Sequence, residues 1–311
     1  MILATLIVGS IGMGWAPVEL DEICRKAFES AQAKFAEEKL LPEDVGLAIY
    51  AIRRPEKTWV RGGFRGEVLF YPASVIKSFF LAYTAHQIDV QAIVSSAEFE
   101  RAAKDMIKDS NNDATGYIVD RICGTTPGPE LDEAGLKEFA DRRLQVNRWF
   151  DSLGYSGVNA VNRTFNEGPY GRERQWVGEK FDNRNRLSAD HSARLMADVA
   201  LERHWSPESS AWMKGLFARA NPQDDPSKAD GQAKGYIGRV LPAGAKLFSK
   251  AGWTSDTRHD SAWVVMPDGR EFGIGIMTTR GKNLVLVSYL ASEILGSLGY
   301  EVIRPEGDPE L

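Results

Sequence analysis

From Leu20 to Leu40 the apolar residues Leu20, Ile23, Cys24, Ala27, Phe28, Ala31 and Phe35 recur at three- and four-residue steps, with Glu and Lys between them. That spacing predicts an amphipathic helix. Val45 to Ile52 reads as a buried strand, and Thr58 to Val60 as a second strand beyond the turn Arg54-Pro55-Glu56-Lys57, so a hairpin follows the first helix. Val68 to Tyr71 leads into a stretch, Val75 to Tyr83, with no polar face; a helix there is buried on nearly all sides. Helical or loop patterns continue to about residue 220, with helices expected over Ala97–Ile107, Asn112–Ile122, Leu131–Leu153 and Ser188–Arg203. Strands return at Leu247–Lys250, Asp260–Met266 and Phe272–Thr279, the last two joined by Pro267-Asp268-Gly269, and Leu284–Leu298 closes the pattern as an apolar helix.

Strands at both ends with helices between them imply an α/β lobe, residues 17–70 plus 225–304, made from both parts of the chain. A helical lobe, residues 71–224, is inserted in it, and residues 305–311 read as an acidic tail. No internal repeat and no low-complexity linker interrupts this plan.

The composition fits a soluble globular protein: 311 residues, 43% hydrophobic and 26% charged. The net charge of −5 is spread without long runs of one sign, which argues against nucleic acid and against an electrostatic membrane anchor. A small molecule is the expected partner. Cys24 and Cys123 stand in no metal-type spacing and read as buried thiols, with a single bridge between them left open. The apolar run Ile2–Trp15, broken by glycines, is too short to cross a membrane as a helix. The expectation is a signal-peptide core, which implies export to the periplasm or medium; the alternatives are an apolar N-terminal strand or a chain begun at a downstream start, in a cytoplasmic protein.

One residue breaks the apolar helix after Tyr71. Lys77 lies in its first turns, three residues after Ser74, a spacing that puts hydroxyl and amine on one helix face. Pro72 suits the first helical position, which places Ser74 at the helix N-terminus. A desolvated amine loses proton affinity and can serve as general base to a serine; the plainer alternative is a capping serine with a snorkelling lysine. Two further elements carry polar residues of interest. One is the loop Asp109-Ser110-Asn111-Asn112-Asp113; the other is Ser249-Lys250-Ala251-Gly252-Trp253, at the end of an expected strand. The four histidines, His86, His191, His204 and His259, are scattered, and no Gly-x-Ser-x-Gly elbow occurs, so a Ser-His-Asp enzyme is disfavoured.

Taken together and in order, Ser74-x-x-Lys77, Ser110-x-Asn112 and Lys250-Ala251-Gly252 resemble the three motifs of the class A β-lactamases and penicillin-binding proteins. The resemblance implies an α+β, two-lobed fold, an antiparallel sheet flanked by helices with an all-helical lobe inserted. It also implies a monomer with no metal or organic cofactor. By the same resemblance Ser74 is the acylated nucleophile, Lys77 its base or proton relay, and Ser110 the donor toward the leaving nitrogen. Asn112 holds Lys77 and the substrate amide, and Lys250 orients Ser110 and attracts the substrate carboxylate. The N–H groups of Ser74 and Trp253 form the oxyanion hole beside Gly252, and Arg258 is a further carboxylate anchor. The substrates implied are β-lactams or peptidoglycan-like amides.

Two departures stand out. Ala251 replaces the family's threonine or serine, with Thr254 or Ser255 as substitutes for the missing hydroxyl. The family's loop glutamate, which activates water to release the acyl group, falls on Phe165 in Asn162-Arg163-Thr164-Phe165-Asn166-Glu167. Glu167 is the nearest candidate for that base, with Glu173 and Glu179 poorer ones. A loop as long as 159–185, and the insertion 124–130, are expected to reshape the substrate entrance. The leading expectation is therefore hydrolysis of a β-lactam amide through an acyl-serine. A D-alanyl-peptidase-like enzyme, or a penicillin-binding sensor that stays acylated, is the alternative.

Overall fold

The structure, a computed structural model, describes residues 15–305 and residue 307. Apart from Trp15, the apolar run at the start of the chain lies outside the described residues, as does most of the acidic tail. Helix α1 (Pro17–Lys34) buries the face its periodicity predicts, from Leu20 to Ala31. Strands β1 (Val45–Arg53) and β2 (Thr58–Phe64) form the expected antiparallel hairpin, with Leu47 opposite Phe64 and Arg53 opposite Thr58. After the two-residue β3 (Leu69–Phe70) comes the helical block of α2 (Ile76–Asp89), α3 (Ala97–Lys108), α4 (Asn112–Cys123), α5 (Glu133–Ser152) and the short α6 (Arg172–Val177). Strand β4 (Leu187–Ser188) pairs with β3 and hands over to α7 (Ala189–Ala200) and α8 (Pro207–Phe217). Strand β5 (Ala218–Arg219), helix α9 (Gly231–Lys234), strands β6 (Lys246–Trp253), β7 (Arg258–Val265) and β8 (Glu271–Thr278), and helix α10 (Leu286–Ser297) complete the order.

Six strands make one antiparallel sheet in the order β2-β1-β8-β7-β6-β5. Strands from the two ends of the chain thus interleave, and Leu47 of β1 lies opposite Ile276 of β8. Both faces are covered. On one, Val45, Leu47 and Ile49 share a core with Leu20, Cys24 and Phe28 of α1 and Leu290 and Ile294 of α10. On the other, Ala48 and Tyr50 join Phe79, Phe80 and Leu195 of α2 and α7. Burial on both faces explains why the strands read as nearly continuous apolar runs. Glycine lets α7 lie directly on β8: a Cβ at Gly275 would stand 2.2 Å from the Ala189 carbonyl oxygen. The two cysteines are free, buried, and in cores on opposite faces of the sheet, so no bridge joins them. No helix among the described residues is long and apolar enough to cross a membrane.

The third of the sequence motifs is placed differently from the expectation. Strand β6 does not stop at Lys250 but runs on to Trp253, each residue of the motif paired with β7. Helix α8 shows no clear apolar period, yet its start is marked in the sequence. Ser206 caps it, accepting from Ser209 N at 3.1 Å, and Pro207 occupies its first turn.

Candidate active site

Ser74 lies just ahead of a regular helix rather than in its first turn. Ala73–Val75 forms a single 3₁₀ turn with Pro72 at its cap, and α2 begins only at Ile76. Ala73 is held at φ 46°, a left-handed conformation that costs a non-glycine residue about 1–3 kcal/mol. Two neighbours fix the turn. Gly252 of β6 runs against it so closely that a Cβ there would sit 2.7 Å from the backbone nitrogens of both Ser74 and Val75. His259 of β7 donates from Nε2 to the Tyr71 carbonyl at 2.8 Å and accepts at Nδ1 from Thr278 N at 3.0 Å. A carbonyl only accepts and an amide N–H only donates, so this imidazole is neutral with its proton on Nε2. Burial agrees, pushing its pKa down to about 4.

From residue 76 to 85 every side chain of α2 is buried, as the apolar pattern predicts, and Lys77 is 0% exposed. Its amine is spoken for by the second motif. Nζ donates to the Ser110 carbonyl, to Asn112 Oδ1 at 2.7 Å and to Ser110 Oγ at 3.3 Å. Lys77 therefore meets Ser110 and Asn112, while the Ser74 hydroxyl is not among its partners. Ser110 reaches this position by a left-handed backbone, φ 55°, between α3 and α4. Asn111 then caps α4, accepting from Ala114 N at 2.9 Å, a role asparagine fills as well as aspartate.

Lys250, also 0% exposed, approaches the same hydroxyl from β6: Nζ donates to Ser110 Oγ at 3.1 Å, Gln232 Oε1 at 2.7 Å and Ala251 O at 2.6 Å. One hydroxyl thus sits between two buried amines. Burial pushes the Lys77 pKa down to about 7. For Lys250 burial, reinforced by Lys77 and Arg219, holds it well below the ordinary lysine range. Accepting from both amines leaves the Ser110 proton free to point elsewhere.

The long loop closes on itself where Asn159 and Arg186 exchange backbone hydrogen bonds at 3.0 and 2.9 Å, and α6 gives it internal structure. Its main tie is Arg143 of α5, fully buried, which bonds Thr125 Oγ1, the Val161 carbonyl, Asp120 and Glu173. That pair holds Glu173 by Oε1, while its buried Oε2 has no hydrogen-bond partner. The insertion at 124–130 packs on α6, its Gly128 and Pro129 carbonyls accepting from Arg172, so it braces the loop. Arg163 passes over α4 at Gly116, where a Cβ would lie 2.1 Å from the guanidinium, and stands 3.6 Å from Asp120.

The loop meets the motif residues at Asn112, whose Nδ2 donates to the Phe165 carbonyl at 3.1 Å and to Asn166 Oδ1 at 2.9 Å. Glu167, next in the chain, is exposed and faces a cavity shared with Tyr71, Arg163, Phe181 and Arg184. The structure brings Ser74, Lys77, Ser110, Asn112, Lys250 and Gly252 together; Glu167 forms no hydrogen bond or ion pair with any of them.

Beyond Lys250, Trp253 is half exposed beside Tyr236, ring centroids 6.3 Å apart. Arg258 is buried, donates to the Gly235 carbonyl at 3.3 Å and lies 4.2 Å from the Tyr236 ring centroid. These three, with Gln232 and Asp109, line a cavity of about 400 Å³. The two hydroxyls expected to stand in for Ala251 both bond within their own turn. Thr254 Oγ1 closes its own turn, accepting from Asp256 N and Thr257 N, and Ser255 donates to Asp256. The group beside Ala251 is Gln232, which sequence reasoning missed, together with Asn166, Arg143 and Arg219. Only Gln232 left a signal, the Asp230 cap of α9, which accepts from Ala233 N at 2.9 Å.

The sequence model described as the beta-lactamase enzyme family matches residues 93–304. The chain belongs to that family. Among solved structures it is similar to PBP-A, with 16% identity and a TM-score of 0.60 over 88% of this chain and 96% of that one. It is similar to the TLA-3 extended-spectrum beta-lactamase, with 12% identity and a TM-score of 0.64 over 88% and 99%. A class A beta-lactamase from Bacteroides cellulosilyticus follows, with 13% identity and a TM-score of 0.61 over 89% and 98%. At these identities the likeness is one of fold, and it agrees with the mixed antiparallel architecture. No curated protein matches the sequence closely enough to be called a relative.

In this beta-lactamase family member the loop's support is open to a direct test. Arg143→Met should leave Glu173 buried without its cation, while Asp120 keeps Arg163, and should lower the unfolding free energy by about 3–5 kcal/mol. Denaturant unfolding monitored by circular dichroism measures it, and a loss below 1 kcal/mol, roughly the worth of an exposed pair, would rule out the tie.

Proposed function

We propose that the protein is a serine enzyme of the penicillin-binding kind, acylated at Ser74 by a β-lactam or a D-alanyl-type amide, and slow to release the ester. The observation that carries the second half is the contact at Asn112: the loop offers it a carboxamide and a carbonyl, Asn166 and Phe165, and no carboxylate. Neutral amide groups cannot take a proton from water at neutral pH, so the hydrolytic step lacks a base there.

Acylation is better provided for. Ser74 Oγ attacks the amide carbon, the C–O bond forms, and its proton passes to Lys77 Nζ in the neutral form that burial favours. Ser110 Oγ gives its proton to the leaving nitrogen as the C–N bond breaks, and is resupplied by Lys77 Nζ with the proton taken from Ser74. Oxygen and nitrogen balance, and the net transfer is one proton from Ser74 to the amine released. Asn112 keeps Lys77 in place throughout. PBP-A, similar in fold, has a point variant described as an acyl-enzyme complex with penicillin G, which supports this reading for the present chain.

Incubation with a chromogenic cephalosporin, followed by intact mass, should give one adduct per chain that outlasts removal of the free drug, and Ser74→Ala should give none. An adduct that vanishes within a turnover would favour a hydrolytic β-lactamase instead; an adduct that persists in Ser74→Ala would discard Ser74 as the nucleophile.

A further inference from the structure

Ala251 leaves the third motif without a hydroxyl, and a side chain from another element comes up beside it. Gln232, on α9, is 6% exposed. Its Oε1 accepts from Lys250 Nζ at 2.7 Å and from Ala251 N at 3.1 Å, while Nε2 donates to the carbonyls of Lys108 at 2.9 Å and Ile107 at 3.4 Å. The amide has one orientation only. Turned over, it would set N–H groups against an amine and a backbone N–H, and its oxygen against two carbonyls. This single side chain ties Lys250 to the last turn of α3, which leads directly into Ser110.

Every group that touches Lys250 Nζ is uncharged: Ser110 Oγ, Gln232 Oε1 and Ala251 O. The charged groups that act on it are Lys77 on α2 and Arg219 on β5, which oppose the ammonium, and Asp260 on β7 and Asp230 at the cap of α9, which favour it. Both carboxylates are engaged elsewhere. Asp230 pairs with Arg219, and Asp260 accepts from Ile237 N at 3.1 Å and Ser261 N at 2.9 Å.

We propose that Gln232 is a positioning residue for acyl transfer. It fixes Lys250 Nζ on Ser110 Oγ and, being neutral, leaves that amine free to lose and regain a proton where a carboxylate would pin the ammonium. This rests on the acyl-serine reading above, and the test separates the two. Full-length Gln232→Glu and Gln232→Met are compared with the parent for the rate of adduct formation as a function of pH. The ionisation of Lys250 is followed in parallel by NMR of protein labelled with ¹³C-lysine, assigned with Lys250→Arg.

Gln232→Glu should raise the Lys250 titration midpoint by about one unit or more, with the matching limb of the acylation profile moving the same way. Gln232→Met should slow acylation at least about tenfold at every pH. If it does not fold, Gln232→Glu carries the test alone. Acylation in both variants within about twofold of the parent, or a Lys250 midpoint unmoved by Gln232→Glu, would overturn the proposal. Absence of any adduct on the parent would overturn the acyl-serine reading instead, whereas the titration needs no turnover and reports on Gln232 regardless.

Discussion

Asn166→Glu should shed the acyl group from Ser74 on the order of a hundredfold faster than the parent. Asn166 is the loop side chain in contact with Asn112, and Asn112 in turn holds Lys77. A carboxylate at that place would add the one group the site lacks, a base of suitable proton affinity next to the amine pair. Asn166→Asp, with a shorter reach, should gain less. Glu167→Gln is the control: Glu167 is as exposed as Asn166 but makes no hydrogen bond to the motif side chains, so its loss should leave the release rate unchanged. Decay of the adduct by mass after removal of free drug measures all three. If Glu167→Gln traps the ester while Asn166→Glu does nothing, the loop serves the site through Glu167 and the assignment is wrong.

The second large effect concerns pH and Lys77. Burial disfavours its ammonium and brings its pKa to about 7, so the lone pair needed by a base exists mainly above that value. Acylation should rise about tenfold per pH unit below about 7 and level off above it. Lys77→Met should lower the plateau by about a thousandfold and abolish the slope. Stability should also rise with pH, but over a higher window. Between about 7 and the ordinary 10.5 the unfolded chain holds a proton that the native one does not, so native stability climbs with pH across that window. Below it the cost of the buried charge is fully present. The methionine variant should therefore melt higher than the parent at pH below 7, with the gap shrinking as pH rises toward 10.5. A flat acylation profile, or a variant as fast as the parent, would show that Lys77 is not the base.

The sequence made the clustered motif residues legible because each motif is short and lies within one segment. Ser74 and Lys77 are one helical turn apart, Ser110 and Asn112 share a turn, and Lys250 and Gly252 share a strand. Residues brought in over distance were not legible. Asn166 reaches Asn112 because Arg143 and Glu173 anchor a loop that has no period to read. Gln232 acts from a four-residue helix, and Arg219 from a two-residue strand, both below the length at which a pattern forms. The left-handed Ala73 could not be anticipated either, since alanine gives no hint of positive φ and the turn is imposed by Gly252 and His259 from across the sheet. Element types held while boundaries moved, most of all in β6, where packing rather than residue preference carries the strand to Trp253.

The interleaved sheet has a consequence for biosynthesis. As the chain leaves the ribosome, β1 and β2 emerge together, but the far edge of β1 belongs to β8, and the apolar face of α1 belongs in part to α10. Until the last strand is translated, the first hairpin carries an open edge and an uncovered apolar face, the features that recruit chaperones or nucleate aggregates. A chain cut short before Glu271 would lose the middle of its sheet rather than an end, so premature termination there should give insoluble protein even though Ser74, Lys77, Ser110 and Lys250 would all be present.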